Sequence, residues 1–345
     1  MKTPLVIIGS SEVNKDLLYA TKFKCSSMAF VKTNKTYVIV SPLEYSRAMK
    51  QAKADVVMNA DIFTFIKRYR KISMPSYTKV GLVKKIENMG VNVELVDYVF
   101  PERRTKSKKE INQIKLVQKI NEKAMQTAID IISCSKISSN YLYYKGKKLT
   151  SEMVRSEVEK VYIENDLISY TQPIIACGKL SALPHETGRG YVKPNLPIVL
   201  DFFPCSRING YYSDMTRTVV RGKASKKIKE MYDAVRSVQV YALKNLKPGV
   251  NIKDFTLELR KMFKKYGFNT NLKKSEGFIH SLGHGVGLDV HEQPMGDVCL
   301  RQGDVYTVEP GLYYKNVGGV RLEDIVVVTS SGVKNLTSFP YILEI

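Results

Sequence analysis

The sequence predicts a small α/β domain over residues 1–105, followed by a larger α+β domain over 106–345 made of two pseudo-twofold halves. Three observations carry that prediction. Short apolar runs alternate with amphipathic stretches in the first hundred residues, a charged break follows at "PERRTKSKKE", and the rest of the chain echoes itself. A chain of 345 residues is long enough for two such domains, each with its own core.

In the first domain "LVIIGS", "MAFVK", "TYVIVS" and "VNVELVDYV" read as strands, while "PLEYSRAMKQAK" and "DIFTFIKRYRKI" read as helices. The break opens with a proline and reads as a linker. Within it Ser107 and Glu110 have the S-x-x-E form of a capping box, so a long helix begins there. Ile111, Ile114, Val117, Ala124, Ala128 and Ile131 recur at helical spacing and give that helix one buried face.

Helix-like segments at about 108–135 and 150–165 precede a β-type region holding Asp201 and Asp214. Segments at about 225–246 and 251–266 precede another, holding Glu309 and Glu323. The acids are 13 residues apart in the first half and 14 in the second, and corresponding acids are 108 and 109 residues apart across the halves. These spacings predict two related halves facing each other across a shared site.

Hydrophobic residues make up 44% and charged residues 25%, which suits a soluble globular protein. The longest apolar runs are far too short to cross a bilayer, and "MKTPLVIIGSSEVNK" leaves no room for a secretory h-region, so a cytoplasmic protein with no membrane partner is expected. Cys25, Cys134, Cys177, Cys205 and Cys299 are scattered and contain no CxxC pair; they read as reduced structural residues. The net charge is +21, but the lysines are spread along the whole chain. That spread argues for a solvated basic surface and against a nucleic-acid footprint.

The chemistry concentrates in two hairpins and one glycine-broken segment. A hairpin in "VLDFFPCSRINGYYSDMTRTVV" turning around Arg207 and Ile208 puts Asp201 opposite Asp214 on one face. In "VYTVEPGLYYKNVGGVRLEDIVVV" the turn chemistry at Asn316 to Gly319 allows a three-residue turn that puts Glu309 opposite Glu323. Four acids directed at one place need raised pKa values or compensating cations, and two divalent metals supply an equal charge. "HSLGHGVGLDVHEQP" holds three of the four histidines; His284 within it is the candidate nitrogen ligand, with glycines on either side that let the backbone approach. Such a mainly hard-oxygen set suits Mn²⁺, Fe²⁺ or Co²⁺ at least as well as Zn²⁺. Metals a few ångströms apart can share one water and lower its pKa.

Together "DFFPCSRINGYYSDMTRT", "HSLGHGVGLDVHE", "YTVEPGLY" and "GVRLED" resemble the signatures of the pita-bread (creatinase/aminopeptidase fold) metallopeptidases. That group comprises Xaa-Pro dipeptidases (prolidases), Xaa-Pro aminopeptidases and methionine aminopeptidases. The resemblance implies a creatinase-like domain over 1–105 and a pita-bread catalytic domain over 106–345. It implies that Asp201 chelates one metal, that Asp214 and Glu323 bridge both, and that His284 and Glu309 complete the other shell. By the same resemblance Glu309 is the general base, His291 stabilises the tetrahedral intermediate, and His185 and His280 approach the substrate. Arg321 matches the family's arginine beside the bridging glutamate. The spacing between the two aspartates is longer than the family's commoner one, through an insert "FFPCSRING" of even length that preserves the face and lies where it can alter access.

In that family an N-terminal domain goes with proline-specific members, supports a homodimer and walls off part of the partner's site. The implied activity is Xaa-Pro dipeptidase on short peptides with proline second, using two metals per subunit, Mn²⁺ or Co²⁺ first and Fe²⁺ or Zn²⁺ next. The alternatives are an Xaa-Pro aminopeptidase acting on longer peptides and, in a different class, a non-catalytic pita-bread protein that binds nucleic acid or ribosomes. The intact ligand set argues against the last.

Overall fold

Val6, Val31 and Ile39 turn to one side of a six-stranded sheet, and Ile7, Phe30 and Val38 to the other; all six are buried. The computed structural model, which describes residues 3–345, divides into two units, Met1–Arg103 and Arg104–Ile345. In the first, β1 (Leu5–Gly9), β2 (Met28–Lys32), β3 (Thr36–Val40), β4 (Val56–Asn59), β5 (Lys71–Pro75) and β6 (Asn92–Val96) run in the order β4-β3-β2-β1-β5-β6. The sheet is mixed: β2 is antiparallel to β1 and β3, whereas β4, β5 and β6 join in parallel. Burial on both faces explains why its central strands read as continuous apolar runs.

The helix expected over "DIFTFIKRYRKI" is cut short in the structure. The stretch "DIFTFIKRYRKI" forms a helix only over Ile62–Ile66, and its last two residues begin β5. Pairing with β1 and β6 buries Ile72 and Met74 completely, and that tertiary gain overrides local helical periodicity.

The second unit opens with α5, following four N-terminal helices α1 (Lys15–Thr21), α2 (Pro42–Gln51), α3 (Ile62–Ile66) and α4 (Val80–Glu87). Helix α5 spans Lys108–Ser133, and the Ser107–Glu110 capping box is present in both directions. Ile114, Val117, Ala124, Ala128 and Ile131 are buried as the periodicity requires, while Ile111 in the first turns is half-buried. Each of the larger buried side chains contributes about 1.5–3 kcal/mol. Helices α6 (Ser151–Glu164), α7 (Lys226–Asn245) and α8 (Ile252–Lys265) follow, capped by Thr150, Ser225 and Asn251 respectively.

The internal echo is visible in space. Helices α5 and α6 share a core with the strands Ile174–Cys177, Ile198–Phe202 and Met215–Val219, and α7 and α8 share another with Val305–Val308 and Asp324–Val328. The two strand systems are stitched together where the acids lie. Glu323 N–H donates to Thr216 O at 3.1 Å, and Arg321 N–H donates to Thr218 Oγ1 at 3.0 Å.

Candidate metal centre

The aspartate hairpin has a different register from the one its sequence predicts. Ile198–Phe202 pairs antiparallel with Met215–Val219 so that Asp201 faces Thr216. Gly210, at φ 82°, takes the left-handed conformation and donates to Ser206 O at 2.9 Å, while Ser206 Oγ accepts from Ile208 and Asn209. This turn chemistry moves the turn one residue on from Arg207 and Ile208, and the pairing therefore slips by two. An even slip keeps every side chain on its face, so Asp214, two residues before Thr216, still projects with Asp201.

The glutamate hairpin has the predicted register. Gly311–Tyr314 pairs with Gly318–Arg321 across a three-residue turn at Lys315–Val317, and Val305–Val308 continues the same register against Asp324–Val328. Glu309 and Glu323 sit opposite each other in the break between those ladders, where Leu322 N–H reaches Pro310 O at 3.4 Å. A break frees the backbone there to aim both carboxylates inward.

His284 arrives on a strand-like segment threaded beside Val305–Val308. Its N–H donates to Thr307 Oγ1 at 3.0 Å, and Thr307 N–H donates to His284 O at 2.8 Å. A side chain on Gly283 would collide with Thr307 O, and one on Gly285 with the Gln293 carbonyl, so this approach needs glycine at both places. An antiparallel bridge between Gly285 and Glu292 folds the segment back and brings the His291 ring to 4.1 Å, centroid to centroid, from that of His284.

One ligand atom from each of Asp214, His284 and Glu323 lies within 4.8 Å of the other two. Glu309 Oε1 is 3.3 Å and Asp214 Oδ2 3.7 Å from His284 Nε2. Asp201 is tied to this group by Arg321, whose Nη2 donates to Asp201 Oδ2 and whose Nε donates to Thr216 Oγ1 at 3.1 Å. Thr216 Oγ1 in turn donates to Glu323 Oε2 at 2.6 Å, and Thr307 Oγ1 to Glu309 Oε1 at 3.0 Å. Neither threonine belongs to a motif of its own, yet period-two spacing from Asp214 and from Glu309 puts each on its carboxylate's face.

Burial, then repulsion from Glu323, Asp201 and Glu309, pushes the Asp214 carboxyl well above the usual range. Glu323 is raised likewise by burial and then by Glu309 and Asp201. Burial lifts Glu309 to about 7 against the pull of Arg321. Burial lowers His284 to about 4, so its imidazole is neutral at physiological pH. Its Nδ1–H donates to Gly285 O at 3.2 Å, which leaves the Nε2 lone pair directed at two carboxylates.

Arg321 is buried and its charge is held on by Tyr313, Asp201, Glu309 and Glu323 against the cost of burial. It donates to Tyr313 OH at 2.9 Å, and that hydroxyl lies 3.1 Å from His280 Nε2. His280 is lowered to about 3 by burial and then by Arg321, and its Nδ1–H donates to Ser281 O at 2.7 Å. Tyr313 OH therefore accepts from Arg321 and donates to His280. No motif or spacing in the sequence marks Tyr313 for this role. His291 is exposed, and His185 is exposed in the segment after the turn Gly178–Ala182, near enough to act electrostatically on His280 and His291. The insert leans on α5: Tyr211 OH donates to Glu110 Oε1 at 2.6 Å, and Asn209 bonds Gln113.

The donor set fits divalent metal. Asp201 Oδ1 and Asp214 Oδ1 are buried with no hydrogen-bond partner among the described residues, and a neutral imidazole lone pair faces carboxylates. A cation satisfies all of these at once.

Two hairpins presenting four carboxylates beside a neutral imidazole define the class of proteins that hold divalent metal on oxygen-rich sites. The model of metallopeptidase family M24 matches residues 112–330. A curated Xaa-Pro dipeptidase of Pyrococcus furiosus is 33% identical over 309 residues, covering 86% of this chain and 83% of that protein. The crystal structure of the prolidase of Pyrococcus horikoshii superposes with a TM-score of 0.83 at 29% identity, covering 98% of this chain and 94% of that one. An X-Pro aminopeptidase structure from Thermotoga maritima gives 0.84 at 26% identity, covering 99% and 97%. The chain belongs to metallopeptidase family M24 and has the pita-bread catalytic domain behind an N-terminal domain. It is a metallopeptidase that uses divalent metal.

Proposed function

We propose that the protein is an Xaa-Pro dipeptidase whose two divalent metals, Mn²⁺ or Co²⁺ first, are held by Asp201, Asp214, His284, Glu309 and Glu323. The observation that carries this reading is the convergence of Asp214, His284 and Glu323 on one place, with Glu309 beside His284. When bound, the metals polarise the scissile carbonyl and lower the pKa of the attacking water. Glu309 takes that water's proton and returns it to the proline nitrogen as the peptide bond breaks. His291, whose ring lies beside that of His284, donates its N–H to the oxyanion. Arg321, through Tyr313, holds His280 in the tautomer whose Nδ1 carries the proton, and Arg321 itself fixes Asp201. His185, exposed nearby, faces the substrate.

The dipeptide preference is supported by the names of the curated relatives, and the Thermotoga structure keeps an Xaa-Pro aminopeptidase as the second reading. A homodimer rests on the family resemblance. A cytoplasmic location is supported by five cysteines that are all free. Among the described residues no helix is long and apolar enough to cross a membrane. The test is hydrolysis of Met-Pro and Met-Pro-Ala by metal-stripped protein resupplied with Mn²⁺ or Co²⁺. Cleavage of Met-Pro alone is expected. Cleavage of the tripeptide moves the protein to the aminopeptidases, and cleavage of neither refutes proline specificity.

A further inference from the structure

Lys106 is a buried lysine in a linker, a place where charge ordinarily stays in water. Its side chain is 2% exposed, and Nζ lies 2.6 Å from Glu292 Oε1, whose own side chain is 10% exposed. We propose that Lys106 is a positioning residue for His291, acting through Glu292. This inference rests on the peptidase reading above, in which His291 meets the reacting carbonyl.

The ammonium end of the pair is fixed by its own backbone. Lys106 N–H donates to Gly303 O at 2.8 Å, Thr105 bridges Asp304, and Arg104 bonds the Asp304 carboxylate at 3.0 and 2.8 Å. Lys106 Nζ also donates to Arg104 O at 3.1 Å. The linker is thus pinned to the turn that leads into the Glu309 strand.

The carboxylate end is built into the histidine segment. Glu292 N–H donates to Gly285 O at 2.9 Å, and Glu292 Oε2 accepts from Asp289 N–H at 3.3 Å. The Gly287 backbone passes so close over the carboxylate that a side chain there would collide with it. His291 itself contacts the His284 ring and makes no hydrogen bond among the described residues. Its ring is therefore placed by that contact and by its backbone, and the backbone is held next door, at Glu292, by Lys106. Removing the ammonium leaves a largely buried carboxylate without that partner; the segment must move to rehydrate it.

The experiment compares Lys106→Met, which keeps the apolar stem, with Lys106→Arg and Glu292→Gln in manganese-loaded protein. Outer-shell partners that orient the ligands of a metal site are worth about 10–100-fold, and a loss of that order is expected here. Lys106→Met should lower kcat on Met-Pro by at least about tenfold with KM changed less than about threefold, and bound metal should match wild type. Lys106→Arg should recover most of the loss, and the Lys106→Met/Glu292→Gln double variant should be no slower than Lys106→Met. Amide exchange at Gly285 and Glu292 should accelerate while α7 stays protected.

A Lys106→Met protein with kcat within about twofold of wild type overturns the proposal, and so does one that loses only melting temperature. If Lys106→Met does not fold, Glu292→Gln decides by the same two criteria. Should wild type itself fail to cut Met-Pro, the peptidase reading falls, and the exchange comparison alone then upholds or overturns the role of Lys106.

Discussion

Arg321 donates from Nη2 to Asp201 Oδ2, yet the other oxygen of that carboxylate is buried with no hydrogen-bond partner among the described residues. One guanidinium stands against four acids. The site is therefore electrostatically incomplete in the protein alone.

Replacing Arg321 by Met removes the guanidinium bonded to Asp201 while keeping an apolar stem of similar length. Breaking a buried pair on one side costs about 3–5 kcal/mol. Urea unfolding should show a loss of that order in metal-stripped protein and a smaller one in metal-loaded protein, where the bound ions neutralise Asp201. Equal losses in the two forms would separate Arg321 from the metal site.

Glu309 binds its proton more tightly folded than unfolded, because burial lifts its pKa from 4.5 to about 7. Its contribution to metal-free stability is fully present below about 4.5 and is lost as pH rises through about 7. His280 and His284, held neutral by burial, tilt stability the other way in the acid range. Stripped Glu309→Gln isolates the first effect, since glutamine never ionises. Its advantage over stripped wild type should grow between pH 5 and 8 by on the order of 3 kcal/mol. A constant difference across that range would mean that Glu309 is not desolvated.

Gly285→Ala should abolish metal binding and turnover together, because the added carbon meets the Gln293 backbone and displaces His284. Metal analysis of the purified variant checks this. Full occupancy with normal turnover would contradict the close approach.

His185→Ala should weaken turnover of Xaa-Pro substrates at unchanged metal content, since the side chain is exposed and is not among the clustered donors. Loss of metal in that variant would make His185 a ligand or a structural residue.

Much of this arrangement is legible in the sequence because it is local. The Ser107–Glu110 box, the four catalytic-unit helices and the three-residue turn that sets Glu309 against Glu323 depend on near neighbours, and each lies where the pattern predicts. The aspartate register is not legible to the same degree: choosing between turns one residue apart depends on Ser206 bonding two amides and on Gly210 going left-handed. The role of "DIFTFIKRYRKI" is lost for a different reason, since pairing of Lys71–Pro75 with two other strands is a tertiary fact. Lys106 and Glu292 are 186 positions apart, and no periodicity links them.

The most direct test of the central claim is a titration of metal-stripped protein with Mn²⁺ in which bound metal and Met-Pro hydrolysis are followed together, with Asp214→Asn in parallel. Wild type should bind two ions per chain and reach full activity only as the second site fills, and Asp214→Asn should neither hold both ions nor turn over. Hydrolysis by fully stripped wild type, or two firmly bound ions with full activity in Asp214→Asn, would contradict a metal centre built on these carboxylates.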